Sequence, residues 1–184
     1  MTTKETILQA ADQYIRYQGF NAFSFKDIAA RVGIRTASIH YHFPTKTDLC
    51  VATIRTHIDR FEAFKQEQGQ RQPSAQLKNF LGLYATIRSE NKVCLVGALA
   101  TDLNTVEEAV KKELGLFAGL VLDWMTGILE RGRGAEEFTF NGLPRTRALM
   151  IITNIIAIIQ LSRLTDAADF EAVITTLLAD LKST

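Results

Sequence analysis

The sequence predicts an all-α fold, and three observations carry that prediction. Apolar residues recur three or four positions apart along nearly the whole chain, and few stretches alternate in polarity as strands do. The breaks between these runs hold Gly19, Gly33, Pro44, Pro73 and Gly134, residues that end helices or separate them. Ser24, Thr45 and Thr105 each stand three residues before an acid, Asp27, Asp48 and Glu108, the spacing of a capping box.

Taken in order, the first helix is expected over about residues 4–18, with Ile7, Ala11, Tyr14 and Ile15 on its inner side and Gly19 at its end. Phe20 and Phe23 plug the junction that follows. A short helix then opens at Ser24 and buries Ile28, Ala29 and Val32. Gly33 stops it, because glycine tolerates the left-handed conformation of a helix terminus. A second short helix runs from Arg35 to Tyr41. Pro44 separates it from a longer helix capped by Thr45, striped with Val51, Ile54, Ile58 and Phe61.

The polar stretch 69–74 is a break before a fifth helix carrying Leu77, Phe80, Leu81, Tyr84 and Ile87. A small apolar helix is expected over about 94–103. Thr105 is expected to cap a long seventh helix with Val106, Val110, Phe117, Val121, Trp124 and Ile128 on one face, ending in the Gly-rich stretch 131–134. Residues 138–143 form a connector with weak strand character. The last two helices fall at about 145–162 and 167–181. The domain division expected is 1–48 and 49–184.

The chain has 184 residues and a net charge of +1, so it is not a generally basic binder of nucleic acid. Charge is unevenly spread: residues 1–46 hold six basic and three acidic side chains. Two distant cysteines, Cys50 and Cys94, form no disulfide framework and point to a cytoplasmic protein. The start of the chain reads as an amphipathic helix and not as a signal peptide. The most apolar stretch, 148–161, contains Thr153, Asn154 and Gln160 and is too short to span a bilayer. Metal binding is not expected: His40 and His42 point to different sides of a helix, and the Cys50–His57 pair falls short of the three or four ligands a zinc site needs. No phosphate-cradling loop, nucleophile elbow or paired-carboxylate setting is present, so neither enzymatic activity nor a cofactor is expected.

Two short helices joined by a glycine turn make the helix-turn-helix geometry, which lays its second helix in the DNA major groove. The run from Gly33 to Lys46, GIRTASIHYHFPTK, resembles the DNA-binding signature of TetR/AcrR-type regulators, and the likeness extends upstream through Phe20 to Ala30. Chain length and helix count fit the same family. The resemblance implies a three-helix DNA-binding head followed by a helical ligand-binding and dimerisation domain, in a one-component regulator that acts as a repressor released by a small-molecule or electrophile inducer. The alternative from another class is a helical ligand-binding or scaffold protein without operator binding.

By that resemblance, double-stranded operator DNA is met by Ser24, Arg35, Thr36, Ser38, Tyr41, His42 and Lys46. Arg35 and Thr36 are placed to read bases; Tyr41, His42 and Lys46 hold phosphate or sugar. The chain departs from the family pattern at Thr36, where lysine is common, at Ala37, where glycine is common, and at His40, where an aromatic ring is common. Arg35 is the residue able to replace the missing lysine's contact. The resemblance also implies a homodimer through the last two helices, where Ile151, Ile155, Ile158, Ile159, Phe170, Ile174, Leu177, Leu178 and Leu181 offer apolar surface. The inducer site implied lies among helices four to eight, with His57, Phe61, Phe64, Phe80, Tyr84, Cys94, Phe117, Trp124 and Asn154 as candidate lining. The set lacks a cluster of charges, so a neutral or apolar ligand is expected. Cys94 resembles the cysteine of electrophile-sensing repressors, and Lys92 with the following helix start would favour its thiolate.

Overall fold

The computed structural model describes residues 1–182, and nine α-helices and one 3-10 turn account for their regular structure. The helices are α1 (Thr3–Gln18), α2 (Phe25–Val32), α3 (Thr36–His42), α4 (Lys46–Gln68), α5 (Pro73–Ser89), α6 (Leu95–Ala100), α7 (Glu108–Gly134), α8 (Pro144–Leu161) and α9 (Ala167–Ala179), with the 3-10 turn at Phe20–Ala22. The chain divides into two compact units, residues 1–63 with 95–118, and residues 64–94 with 119–184. The expected boundary at 48/49 falls inside the first unit, because α6 packs on α1 and its neighbours share that core.

In the first unit, Ile7, Ile15, Ile28, Ile39, Leu49 and Ile54 are each at most 1% exposed, and Leu99 of α6 and Val110 of α7 are buried as completely. Each such side chain contributes about 1.5–3 kcal/mol relative to an exposed one, an upper figure because unfolded chains already bury some apolar surface. Thr2 caps α1 with a complete capping box to Glu5. Arg31 of α2 donates to the Gln13 side chain of α1 and lies over the Tyr14 ring, which stacks on Phe23 at 5.3 Å.

The second unit is centred on Leu77, Phe80 and Leu81 of α5, Met125, Ile128 and Leu129 of α7, Ala148, Ile151, Ile155 and Ile159 of α8, and Phe170 of α9. The turn between α4 and α5 is closed by buried amides. Gln76 Nε2 donates to the Gln68 and Arg71 carbonyls at 3.0 and 2.9 Å, its Oε1 accepts from Arg131 at 3.0 Å, and Asn79 donates to Gln68 Oε1 at 2.7 Å.

Four local expectations change. Pro73 is the first residue of α5 and not part of the break before it, since the first turn of a helix has no use for the amide proline lacks. The small sixth helix is only six residues long, and 101–106 forms turns. Thr105 does not cap α7, which begins at Glu108. Its hydroxyl donates to the Asp102 carbonyl at 2.8 Å and accepts from Asn21 at 2.8 Å. The connector 138–143 forms no strand, but the Thr139 amide donates to the Leu181 carbonyl at 2.7 Å.

Near the end of α7, the Phe138 ring lies directly on Gly132, and a Cβ there would overlap the ring. Gly132→Ala is therefore expected to lower stability by about 1–3 kcal/mol through overpacking, read as a drop in the urea midpoint. Gly134→Ala, where a Cβ meets open space, serves as the control and is expected to have little effect.

Candidate functional site

The helix-turn-helix forms as the pattern requires. The Ser24 amide and hydroxyl both donate to Asp27 Oδ2 at 2.7 Å. These bonds hold the Asp27 carboxyl below its ordinary range. Gly33 adopts φ 75°, ψ 32°, and its amide and that of Ile34 both return to the Ala29 carbonyl, at 2.9 and 3.1 Å. That left-handed turn aims α3. Ile39 is fully buried and Phe43 is 3% exposed, so the opposite face of α3 is turned outward. Thr45 repeats the capping box at α4: its amide and hydroxyl donate to Asp48 Oδ2, and its Oγ1 accepts the Asp48 amide.

The residues predicted to meet DNA share this surface with one difference. Ser24 and Arg35 are exposed, Arg35 at the N-cap of α3, and Thr36, Ser38 and His42 are half-buried along it. Tyr41 is 85% exposed, and its ring meets only the edge of His42, at 5.1 Å. His40 is more than a surface residue: its Nδ1 donates to the Pro44 carbonyl at 3.1 Å and its ring meets Phe25 edge-on at 4.8 Å.

Lys46 is the difference. Its ammonium is turned inward, 2.5 Å from the Phe23 carbonyl and over the rings of Phe23 and Phe20 at 4.2 and 4.5 Å. A cation on the first residue of a helix opposes the helix dipole. Here the carbonyl, the two ring faces and the nearby Asp102 and Asp27 carboxylates offset that cost. Desolvation still lowers its pKa. One turn on, Cys50 is 1% exposed, and burial pushes its thiol from the ordinary 9.0 up to about 12 despite the neighbouring lysine.

Asp102 carries no pattern of its own in the sequence, yet it organises this junction. Its Oδ2 accepts the Phe20 amide at 2.9 Å and its Oδ1 accepts Asn21 Nδ2 at 3.1 Å. Gly19, at φ 94°, brings the chain against the same carboxylate. Residues 101–106 are thereby fastened to the turn between α1 and α2. Farther along, Arg55 of α4 donates to Glu113 of α7 at 2.9 Å.

The candidate ligand residues divide between the two units. In the first unit, His57 and Phe61 of α4 lie 6.1 and 6.2 Å from Phe117 of α7, and His57 Nε2 is 2.6 Å from Asp12 Oδ1 of α1. In the second unit, Phe80 touches Tyr84, Trp124 and Phe64, with ring centroids 5.3, 5.5 and 6.5 Å away; Phe64 and Trp124 are 5.5 Å apart. Cys94 is buried just before α6. Of the two features expected to favour its thiolate, Lys92 is paired with Glu90 at 2.6 Å, and the helix that follows is six residues long. Asn154 stands apart from the aromatic group, exposed on α8, where it donates to the Met150 carbonyl and lines a groove of about 310 Å³ with residues of α9 such as Thr176 and Leu177.

The four isoleucines of α8 expected at an interface are buried within the chain. The apolar surface left open near α9 comes from Leu149, Met150, Leu161 and Leu164, with Ile174, Leu177 and Leu178 half-buried. Among the described residues no helix is long and apolar enough to cross a membrane, and no group of three or more His, Cys, Asp or Glu is placed to hold a metal ion.

Comparison with known proteins agrees with this geometry. The sequence profile of the bacterial regulatory proteins of the tetR family matches residues 7–53, from α1 into α4. The crystal structure of a TetR transcriptional regulator from Legionella pneumophila is 34% identical and superposes with a TM-score of 0.89, covering 99% of this chain and 98% of that one. A TetR-family transcriptional regulator from Agrobacterium tumefaciens is 29% identical with a TM-score of 0.92, over 98% and 97% of the two chains. An uncharacterised HTH-type transcriptional regulator of the lacX 3′ region of Lactococcus lactis subsp. lactis is 29% identical over 140 residues, 69% of this chain and 71% of the relative.

Two outcomes follow from the junction. Asp102→Ala leaves the Phe20 amide without its acceptor, and a loss of about 1–3 kcal/mol is expected in chemical denaturation. The Cys50 thiol keeps its proton in the folded chain up to about pH 12 and loses it near 9 when unfolded, so its contribution is complete below pH 9 and disappears as pH rises from 9 toward 12. Between about pH 9 and pH 10.5 the wild type is expected to lose up to about 1.4 kcal/mol per pH unit more than Cys50→Ala, measured as parallel urea titrations.

Proposed function

The chain belongs to the TetR family of bacterial regulatory proteins and is a DNA-binding transcriptional regulator, and from that premise we propose that it is a homodimeric repressor which binds a palindromic operator through α3 and leaves it when a small molecule binds the helical body. The observation that carries the reading is the outer side of α3: Tyr41, 85% exposed, lies opposite the buried Ile39, with Ser38 half-buried on the flank and Arg35, exposed at the N-cap, and Thr36 at the N-terminal end. Small polar side chains let a helix approach base edges closely, and Arg35 supplies the bidentate donor that suits guanine. The open N-termini of α2 and α4 supply backbone amides for phosphate. Their capping carboxylates, Asp27 and Asp48, already take the amides of Ser24 and Thr45, so the phosphate is left with the amides of the first helical residues.

Dimerisation rests on the apolar residues left open on α8 and beside α9. A two-fold pair with recognition helices about 34–36 Å apart fits successive major grooves. The inducer rests on the half-buried rings of the second unit, Tyr84, Trp124 and Phe64 around Phe80, which offer stacking faces to an apolar or aromatic body. Lys46 reaches phosphate only by leaving the Phe23 carbonyl, so its contact is one made on binding.

Fluorescence anisotropy on labelled duplexes, repeated over a range of salt, tests the DNA role. Tyr41→Ala and Lys46→Ala are expected to weaken binding to every duplex, with Lys46→Ala lowering the salt slope by about one. Arg35→Ala and Thr36→Ala are expected to change sequence preference. An unchanged slope for Lys46→Ala removes its phosphate contact and leaves the Phe20–Phe23 cage as its whole role. Failure of the wild type to bind any duplex at low salt overturns the repressor reading.

A further inference from the structure

We propose that the ligand of the second unit is an amphipathic carboxylate, its apolar body against the Phe80–Tyr84–Trp124 rings and its carboxylate on Arg88. The inference rests on the ligand-binding role proposed above and deepens it, replacing the neutral ligand expected from sequence with an anionic one.

Arg88 lies on the last turn of α5, half-buried, with its guanidinium 5.4 Å from the Phe170 ring centroid. Its Nε is buried and has no hydrogen-bond acceptor. Among the described residues no carboxylate pairs with it either. The acid nearest in sequence, Glu90, is on Lys92 at 2.6 Å. Other arginines of the chain find acceptors: Arg55 has Glu113, Arg131 has Gln76, Arg145 has Asp123, and Arg133 has the Gly142 carbonyl. The carbonyl end of α5 and the Phe170 face make the charge tolerable. They do not satisfy a buried N–H, and a buried donor left unmade costs more than a typical hydrogen bond contributes.

The position of Arg88 says what would satisfy it. Residues 80, 84 and 88 follow one another at intervals of four, which places them as neighbours along one stripe of α5. Phe80 and Tyr84 are already 5.3 Å apart, and Phe80 leads on to Trp124 at 5.5 Å. The stripe therefore passes from stacking rings to a planar, permanently charged fork. Phe80 is 2% exposed, so a molecule that runs along the stripe meets the half-buried Tyr84 and Trp124 rings first and a guanidinium at the end, and a planar carboxylate is the group that matches the fork bidentately.

Trp124 is the one tryptophan of the chain, so binding on this stripe is read from its fluorescence. The probes are the phenylalkanoates from phenylacetate to 6-phenylhexanoate, each against its primary amide, which keeps shape and removes charge. With the wild-type full-length chain, at least one carboxylate is expected to bind about ten-fold or more tighter than its amide, the scale of a charge-assisted hydrogen bond. In Arg88→Gln the preference is expected to collapse to about two-fold or less. Arg88→Lys, which keeps the charge and loses the fork, is expected to retain part of it. Arg163→Gln, on an arginine outside the stripe, is expected to keep the wild-type preference. Circular dichroism confirms that each variant is folded; should Arg88→Gln unfold, the lysine variant carries the test, and full wild-type preference in it counts against the fork. Equal affinity for acid and amide in the wild type, an undiminished preference in Arg88→Gln, or no saturable response to any carboxylate at millimolar concentration overturns the proposal. Operator binding without probe is measured alongside: if it is intact while the probes fail, the anion site alone is wrong, and if it is absent the regulator reading fails as well.

Discussion

The junction after α1 is the constraint on which the first unit depends. Within a few residues the chain leaves α1 at Gly19, makes one 3-10 turn, and enters α2 at Ser24, and this fixes the direction in which α2 and α3 set out. Two charged groups hold that turn from outside it. Asp102 takes the Phe20 amide and the Asn21 side chain, and Lys46 takes the Phe23 carbonyl while lying over both phenylalanine rings. An amide and a carbonyl that the tight turn leaves unpaired are each met by a charge of the right sign, an arrangement worth more than neutral hydrogen bonds. The turn is thus set by the 101–106 segment and by the start of α4 as much as by its own sequence.

This explains why the first compact unit is discontinuous. A three-helix head buries its isoleucines against one another, but part of its core and its key carboxylate arrive from residues 95–118. The surface of α3 that would meet DNA and the segment carrying Asp102 are parts of one packed body. Interiors are close-packed, so displacement of 101–106 is felt at the turn that orients the helix-turn-helix.

What could be read from the sequence was the local part. Ser24 with Asp27, Gly33, Pro44 and Thr45 with Asp48 each satisfy their own neighbours, and all helices stood within a few residues of their expected positions. The misses are long-range. Thr105-Val-Glu-Glu has the form of a capping box, yet the hydroxyl is taken by Asn21, more than eighty residues away, and by the Asp102 carbonyl. Lys46 was legible as a cation at a helix start, but not as one turned onto the Phe23 carbonyl. Helical periodicity places the aromatic residues of α4, α5 and α7 on apolar stripes but does not say which of them meet: His57 and Phe61 meet Phe117 in the first unit, and Phe80 meets Phe64, Tyr84 and Trp124 in the second. Asn154, expected among the ligand lining, lies exposed on α8. Arg88 carries no signal in the sequence, because an arginine near a helix C-terminus is ordinary; a buried Nε without an acceptor sets it apart.

A turn fixed by opposite charges orients an outward helix of small polar residues, and the proposed two-fold partner would cover the apolar residues left open on α8 and beside α9. Central to the proposed function is sequence-specific recognition of double-stranded DNA by two copies of α3. In vitro selection of duplexes from a random pool by the full-length chain tests it most directly. The expected result is enrichment of a two-fold symmetric motif whose half-sites are about one helical turn apart, lost from the pool selected by an Arg35→Ala, Thr36→Ala double variant. A pool that remains random after repeated rounds, or a motif unaltered by that double variant, would contradict it.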